Sequence, residues 1–195
     1  MEPTKKPDNF LSDEDLVSLV LRDQGAFALL IKRYQDKIFH YIVRITNIRE
    51  EDAEDLLQDI FLKVYLNLND FDLDLKFSSW IYAIARNQVI SNHRRLNTRA
   101  EGHSLDLEAD SVKRLVSEFN IEKEFDATYL KDKVTKVLYN LSDKYRDILV
   151  LKFLEEKSYQ EISDIIKKPV GTVGSLMNKA KSEFKKELLK QKIKL

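Results

Sequence analysis

The chain has 195 residues, a formal net charge of zero and no cysteine, and its length suits two small domains because domains usually contain about 100 to 150 residues. The sequence contains no arginine-rich transit peptide and no apolar run near the roughly 20 residues that cross a bilayer, so we expect a cytoplasmic protein without export or membrane insertion. Four Gly and three Pro leave little turn chemistry for a multi-stranded sheet, and we expect an all-α fold.

The first 50 residues predict helices that form a core. Ser12 suits an N-cap, and three acidic residues follow it in the first helical turn. Gly25 is expected at the junction between the first helix and the second. Apolar residues recur at helical spacing as far as Ile45: Leu16, Leu19, Val20, Phe27, Leu30, Ile31, Tyr34, Ile38, Tyr41, Ile42 and Ile45. We expect these residues to face the interior.

The stretch EEDAEDLLQDIFLKVYLNL predicts an amphipathic helix with one acidic face. Its apolar stripe consists of Ala53, Leu56, Leu57, Ile60, Phe61, Val64 and Leu68. Glu54, Asp55, Gln58 and Asp59 then gather on and beside the opposite face. Residues 50–75 hold nine acidic side chains against Lys63 alone, so ion pairs within the helix cannot neutralise this face. It is either a solvated surface or the docking site of a partner that is not DNA.

Residues 69–95 combine aromatic rings with positive charge. The helical pattern lapses over Asn69 to Lys76 and resumes at Phe77 or Ser78. Four aromatic residues cluster at this loop-to-helix junction, and residues 76–99 carry five basic residues and no acid. Bases stack on such rings at about 1–3 kcal/mol each while cations hold the phosphates, which favours single-stranded nucleic-acid binding. The alternative is that Phe77 and Trp80 belong to the core and that Arg94 and Arg95 form a solvated helix end.

The segment after this helix is acidic, and it lacks sustained helical periodicity in its first half. Residues 100–128 have a net charge of −5. We expect a flexible linker that turns helical near residue 112 or 121.

The stretch SYQEISDIIKKPVGTVGSLMNKAK predicts a helix-turn-helix. An apolar helix over 141–155 precedes it, Ser158 and Glu161 have capping-box spacing, and Pro169 opens the last helix. The buried stripe of that helix is predicted to be Val173, Met177, Ala180, Phe184 and Leu188. Its outward side chains are predicted to be Thr172, Ser175, Asn178, Lys179 and Ser182. Residues 157–195 have a net charge of +6, which suits contact with DNA.

Three segments, in order, resemble a bacterial RNA polymerase sigma factor of the sigma-70 family, in its extracytoplasmic-function (ECF) group. They are REEDAEDLLQDIFLKVY, KFSSWIYAIARNQVISNHRR and LSDKYRDILVLKFLEEKSYQEISDIIKKPVGTVGSLMNKAK. The resemblance implies a region 2 helical bundle over 10–96 that binds the polymerase clamp and recognises and melts the minus-ten element. It further implies a linker over 97–129 and a region 4 helix-turn-helix over 130–190 that reads the minus-thirty-five element.

The resemblance also implies roles for individual residues. It assigns polymerase binding to Asp55, Gln58 and Asp59. Contact with the single-stranded minus-ten element falls to Asp72, Lys76, Phe77, Trp80, Arg86, Asn87, Arg94 and Arg95. Contact with the double-stranded minus-thirty-five element falls to Thr172, Ser175, Leu176, Asn178, Lys179 and Lys181. Family members often carry basic residues where this chain has Gly174 and Leu176, which leaves the exact target bases open. The implied partners are core RNA polymerase, promoter DNA and an anti-sigma factor.

Two other functions compete with this interpretation. A stand-alone helix-turn-helix transcriptional regulator would use the C-terminal reader alone, with the N-terminal half as a sensor or dimerisation domain. An enzyme is not expected, because His40, His93 and His103 are scattered and the sequence has no cysteine or glycine-rich phosphate loop. We therefore expect no catalytic residue, no metal site and no cofactor.

Overall fold

A computed structural model describes residues 11–96, 107, 109–119 and 127–191, without the side chains of 93–96, 109, 116 and 127–130. In these parts of the chain the regular structure is helical throughout, which confirms the expected all-α fold. The α-helices are α1 Asp13–Val20, α2 Phe27–Thr46, α3 Glu50–Leu66, α4 Phe77–Leu96, α5 Ala109–Glu118, α6 Ala127–Asn140, α7 Asp143–Leu149, α8 Tyr159–Ile166 and α9 Val170–Lys190. A π-helical segment, Val150–Leu154, continues α7.

Helices α1 to α4 form the N-terminal domain. The Ser12 hydroxyl accepts a hydrogen bond from the Asp15 backbone, and the Asp15 carboxylate accepts one from the Ser12 backbone, so α1 begins with a complete capping box. Gly25 lies in the short 3-10 turn that joins α1 to α2. The side chains at the centre of this domain are completely buried and include Leu30, Ile38, Ile42, Ile60, Phe77 and Ile81.

The expectation that Leu19 faces the interior is wrong. The side chain is 37% exposed, although its spacing placed it with the buried residues. Helix α1 is short and packs against α2 through Leu16, Val17 and Val20, which are nearly inaccessible. Leu19 lies about a quarter turn away from that stripe and so points away from the contact.

Helix α5 lies within the range predicted to be the linker. It begins at Ala109, slightly before the expected point near residue 112. Leu115 is completely buried where α5 packs against α6 and the π-helical segment. This part of the linker range therefore belongs to the C-terminal helical cluster, and most of the remaining linker lies outside the described residues.

The C-terminal domain contains the predicted helix-turn-helix in α8 and α9. Ser158 and Glu161 form a reciprocal capping box at the start of α8, as their spacing indicated. Lys167 adopts left-handed backbone geometry with φ of 52° and ends α8, and Pro169 is the N-cap of α9. Every residue of the predicted stripe on α9 is completely buried. Sequence periodicity therefore oriented the second helix of the motif correctly.

The two domains pack directly against each other. Helix α8 lies against α4, and α7 reaches α2. The first helix of the helix-turn-helix therefore covers part of the helix to which the resemblance assigns minus-ten DNA.

Candidate nucleic-acid and partner interfaces

The exposed face of α3 combines acidic and apolar side chains. Asp55, Gln58 and Asp59 all lie on the surface, and no ion pair to Asp55 or Asp59 occurs within the described parts of the chain. Leu62 and Leu66 continue the same ridge, with 57% and 65% of their surfaces exposed. Side chains four and three residues apart lie next to one another along a helix. The face is therefore a continuous strip with two carboxylates at one end and two leucines at the other.

The aromatic residues before and within α4 form a compact cluster. The ring centroids of Phe71 and Trp80 are 5.1 Å apart, and those of Phe77 and Trp80 are 5.7 Å apart. Phe77 is completely buried and Phe71 nearly so, whereas Trp80 is partly exposed. The Phe77 ring thus packs against Trp80 on the interior side, and a base cannot reach the Phe77 ring because it is buried. Within this cluster, Trp80 is the ring that a nucleobase can reach.

The loop that leads into α4 is exposed and held by its own backbone. The Asp72 carboxylate accepts a hydrogen bond from the Asp74 backbone at 3.0 Å, and its carbonyl accepts one from Leu75. The N-terminus of α4 is held differently, because the Glu14 carboxylate of α1 accepts a hydrogen bond from the Phe77 backbone at 3.1 Å. These contacts fix the loop beside Trp80 while leaving its side chains toward solvent.

The basic residues predicted for minus-ten contact occupy different environments. The Lys76 ammonium lies 3.2 Å from the carboxylate of Glu161 on α8. The Arg86 guanidinium lies 2.6 Å from the carboxylate of Asp147 on α7. Asn87 is exposed on the surface of α4. Arg94 and Arg95 belong to the last turn of α4, and their side chains lie outside the described part of the structure.

Two carboxylates of the C-terminal domain, Asp147 and Glu155, organise a polar cluster between the domains. Tyr41 donates a hydrogen bond to Asp147 at 2.8 Å, beside the bond from Arg86. Arg44 and Tyr82 donate to the two oxygens of Glu155 at 2.8 and 2.6 Å. We call these residues the interdomain cluster: Tyr41, Arg44, Tyr82, Arg86, Asp147 and Glu155.

The interdomain cluster is largely shielded from water. The side chains of Arg44 and Glu155 are 7% and 5% exposed. Burial first, and then the negative charge of Asp147, raises the pKa of Tyr41 well above its ordinary value. Burial, and then the charge of Glu155, raises the pKa of Tyr82 in the same way. Both phenols therefore keep their protons and remain donors to the carboxylates.

Helix α9 presents the outward surface expected of a recognition helix. Thr172, Ser175, Asn178 and Lys179 are exposed, and Leu176 is partly exposed. Lys181 is placed differently, because its ammonium pairs with the carboxylate of Glu118 on α5. Phe119, next to Glu118, contacts the ring of Phe184 on α9, with centroids 4.7 Å apart. The C-terminal end of α5 thus contacts the recognition helix at Lys181 and Phe184.

A cavity of about 460 Å³ opens at the seam between the domains. Its lining mixes both signs of charge, with Lys37, His40 and Lys157 beside Asp36 and Glu156. This mixture selects no particular class of ligand. Within the described residues, no group of three His, Asp or Glu side chains could hold a metal ion, and no helix is both long and apolar enough to cross a bilayer.

Comparison with known proteins gives two family matches in the order that the fold suggests. The Sigma-70 region 2 family matches residues 30–99, and the Sigma-70 region 4 family matches residues 131–184. The ECF RNA polymerase sigma factor SigW of Bacillus subtilis is 33% identical over 174 residues, which cover 85% of this chain and 90% of SigW. The chain belongs to the ECF RNA polymerase sigma factors. As a sigma factor, it directs RNA polymerase to promoters, and a stand-alone regulator is not favoured.

Further relatives of the sigma factor agree with this assignment. The ECF RNA polymerase sigma-E factor of Escherichia coli K12 is 32% identical over 176 residues, covering 88% of this chain and 91% of that protein. Among solved structures, CnrH in complex with the cytosolic domain of CnrY has a TM-score of 0.64 at 21% identity, covering 90% of this chain and 96% of CnrH. RpoE bound to the anti-sigma factor NepR from Bartonella quintana has a TM-score of 0.60 at 19% identity, covering 83% of this chain and 96% of RpoE. At these identities the two structures establish a shared fold.

Sequence reasoning missed two groups of functional candidates. Leu62 and Leu66 were not assigned to any surface, although their spacing from Asp59 places them on its ridge. The interdomain cluster was missed as well, and its signal was subtle. Arg44 and Asp147 are charged residues within apolar helical runs, a pattern that indicates buried charges in need of partners.

Proposed function

We propose that this sigma factor holds RNA polymerase through α3, opens and reads the minus-ten element through α4 and its preceding loop, and reads the minus-thirty-five element through α9. The corresponding functional bounds are 10–96 for region 2, 97–129 for the linker and 130–190 for region 4. The observation that carries this proposal is the exposed, unneutralised strip of Asp55, Gln58, Asp59, Leu62 and Leu66 on α3.

The strip on α3 has the composition of a protein-docking surface. Exposed leucines supply apolar area that leaves water on binding, and carboxylates without partners attract a basic surface on the polymerase. Such a surface would repel DNA, since residues 50–75 have a net charge of −8. Polymerase binding through α3 therefore keeps the acidic face away from the promoter.

The minus-ten site is proposed to centre on Trp80. A base extruded from the opened strand can stack on the exposed part of this ring, and stacking at about 1–3 kcal/mol offsets part of the cost of unstacking. Asp72 and the exposed loop border the same site, and Asn87 follows about two helical turns along α4. Arg86, Arg94 and Arg95 would then lie along the phosphates. Phe77 contributes by supporting Trp80, since its own ring is buried.

The minus-thirty-five site is proposed to be the exposed N-terminal half of α9. Thr172, Ser175 and Asn178 lie on one side of this helix, and an amide side chain such as Asn178 can bond adenine in the major groove. Leu176 can contact a thymine methyl group. Lys179 is exposed and suited to a phosphate.

An anti-sigma factor is proposed as the regulatory partner. The two structural neighbours are CnrH bound to the cytosolic domain of CnrY and a sigma factor bound to an anti-sigma factor. The shared fold makes the same mode of regulation available to this chain.

Run-off transcription with purified core polymerase on genomic fragments tests the proposed polymerase contact. We expect discrete transcripts with the wild type. At a limiting concentration of sigma factor, Asp55→Ala/Asp59→Ala should give at least about tenfold less transcript, because truncating central residues of an interface lowers the affinity for core polymerase by that factor. The matched control is Glu51→Ala/Asp70→Ala, which removes two exposed carboxylates from the same domain. Equal loss of transcription in the control would refute a specific role for the strip. Discrete transcripts retained at wild-type levels by the Asp55→Ala/Asp59→Ala variant would also refute it.

A further inference from the structure

The cavity at the seam between the domains has walls from both of them. Lys37, His40 and Arg44 line it from α2, and Tyr82 lines it from α4. The C-terminal domain contributes residues 154–157, which lead from the π-helical segment toward α8. The volume of about 460 Å³ lies within the roughly 300–1,000 Å³ that is usual for small-molecule sites. The residues that line the cavity are separate from those assigned to polymerase and to DNA.

Most of the negative charge in the lining is already neutralised within the chain. The Glu155 carboxylate accepts a hydrogen bond from Arg44 at 2.8 Å. The Glu156 carboxylate lies 2.7 Å from the guanidinium of Arg114 on α5. Among the described residues of the lining, Asp36 is the remaining acid, and it is exposed. A count of the charges selects no class of ligand, but their pairing leaves the acids largely satisfied.

The two lysines of the lining are not neutralised in this way. In the described parts of the chain, no carboxylate lies within ion-pair distance of the ammonium of Lys37 or Lys157. The Lys157 ammonium lies 4.3 Å from the centre of the Tyr82 ring. Burial lowers the pKa of Lys157. The charges of Glu161 and Glu155 oppose this shift, whereas the positive charge of Lys37 adds to it. Two like charges thus line one cavity, and an anion between them would relieve their repulsion.

Arg44 and His40 add donors to the wall formed by α2. Nη1 of Arg44 donates to Glu155, while Nε is buried and has no acceptor within the described residues, so the guanidinium retains donor capacity. His40 lies one helical turn from both Lys37 and Arg44. Charge-assisted hydrogen bonds from several side chains suit an anion with three or more acceptor oxygens, such as a phosphate group.

We propose that this cavity binds a small molecule that carries a phosphate group, with Lys37, His40 and Lys157 as donors to the phosphate oxygens. The cavity is larger than a free phosphate ion requires, so an organic phosphate such as a nucleotide fits as well. Lys37 and His40 belong to the N-terminal domain and Lys157 to the C-terminal domain, so the ligand joins the two. A ligand held in this way binds the folded chain and raises its thermal stability by mass action.

Isothermal titration calorimetry of the full-length chain with inorganic phosphate, ATP and adenosine, at constant ionic strength and without magnesium, tests the site. The variant is Lys37→Gln/Lys157→Gln, which removes both ammonium groups. Its control is Lys32→Gln/Lys144→Gln, which removes two exposed lysines from the same two domains and changes the net charge equally. Neither control position lines the cavity. Circular dichroism verifies folding, and Lys37→Gln alone, at an exposed position, serves if the double variant does not fold.

We expect saturable one-to-one binding of phosphate or ATP to the wild type and the control. Binding to Lys37→Gln/Lys157→Gln should be at least about tenfold weaker, because charge-assisted hydrogen bonds to the anion are lost. Tighter binding of ATP than of phosphate would identify an organic phosphate as the occupant, and equal binding would identify the inorganic ion.

Three results would overturn the site. The first is the absence of saturable binding with both phosphate probes. The second is equal weakening in the variant and the control, which would show that net charge attracts the anion without the cavity. The third is adenosine binding as tight as that of ATP, which would show that the phosphate is not recognised.

Discussion

At the scale of single residues, Phe77 and Trp80 belong to one aromatic cluster but have different roles. Phe77 is completely buried and contacts the rings of Tyr34, Phe71 and Trp80. Trp80 keeps part of its ring at the surface. Burial is what separates a ring that stabilises the domain from a ring that can stack on a base.

This division predicts opposite effects for the two truncations. Phe77→Ala should lower the free energy of unfolding by about 3–5 kcal/mol, because it leaves a cavity in the core. Trp80→Ala should cost clearly less stability but should reduce polymerase-dependent promoter opening by about 5- to 150-fold, since about 1–3 kcal/mol of stacking is lost. Urea unfolding and run-off transcription measure the two effects. Equal destabilisation by both substitutions would show that Trp80 is also a core residue.

The pKa of Glu161 predicts that the fold loses stability at acidic pH. Partial burial alone would raise the pKa of this carboxyl, but hydrogen bonds from Ser158 and Lys76 outweigh burial and lower the pKa from 4.5 to about 2. A carboxyl with a lowered folded-state pKa stabilises the fold above pH 4.5, and this contribution is lost as the pH falls from 4.5 toward 2.

We therefore expect Glu161→Gln to unfold with a weaker pH dependence than the wild type between pH 4.5 and 2. Glutamine retains capping-box geometry but has no proton to gain. Thermal unfolding across this pH range measures the effect, and Asp164→Asn on the same helix is the control. If Glu161→Gln and the wild type lose stability in parallel, the lowered pKa of Glu161 does not stabilise the fold.

At the scale of elements, local patterns predicted the helices, whereas contacts distant in the chain could not be predicted. Capping boxes at Ser12 and Ser158 and the buried stripe of α9 depend on neighbours within a few residues, so the sequence contains their cause. The pair of Arg86 and Asp147 joins positions 61 residues apart. Its formation depends on how two domains pack, which periodicity does not encode. For the same reason, Phe77 was recognised as aromatic but its burial was left open.

Helix α5 provides a prediction at this scale through its contact with α9. Glu118 pairs with Lys181, and these side chains are 39% and 29% exposed. A pair at this level of exposure is worth about 0.2–1 kcal/mol. Glu118→Gln should therefore strengthen binding of double-stranded promoter DNA by the polymerase complex by no more than about fivefold.

Filter binding at two salt concentrations measures this effect, with Asp110→Asn as control. Asp110 is an exposed carboxylate on the same helix and pairs with Lys113. If the two variants bind DNA alike, the effect is due to net charge and Lys181 makes no specific contact. A gain confined to Glu118→Gln would identify Lys181 as a DNA contact that α5 partly occupies.

At the scale of the whole molecule, the zero net charge acquires a structural explanation. The acidic and basic segments alternate along the chain, and opposite charges from different domains meet in Arg86 with Asp147 and in Lys76 with Glu161. The chain therefore neutralises part of its own basic surface. Net charge alone would have argued against a DNA-binding protein, whereas the arrangement of the charges is consistent with one whose DNA surface is available only in some states.

The interdomain cluster also predicts how the molecule unfolds. Arg44 of the N-terminal domain and Glu155 of the C-terminal domain form a buried ion pair. If one domain unfolds, the charge on the other domain loses its partner. The two domains should therefore unfold in a single calorimetric transition in the wild type. Glu155→Gln removes the negative charge and leaves the positive charge of Arg44 buried without its partner. Separation of the domains returns Arg44 to water without the unfolding of both domains. We expect this variant to unfold in two transitions, whereas Glu183→Gln keeps one. Two transitions in the wild type would show that the contact contributes too little free energy to couple the domains.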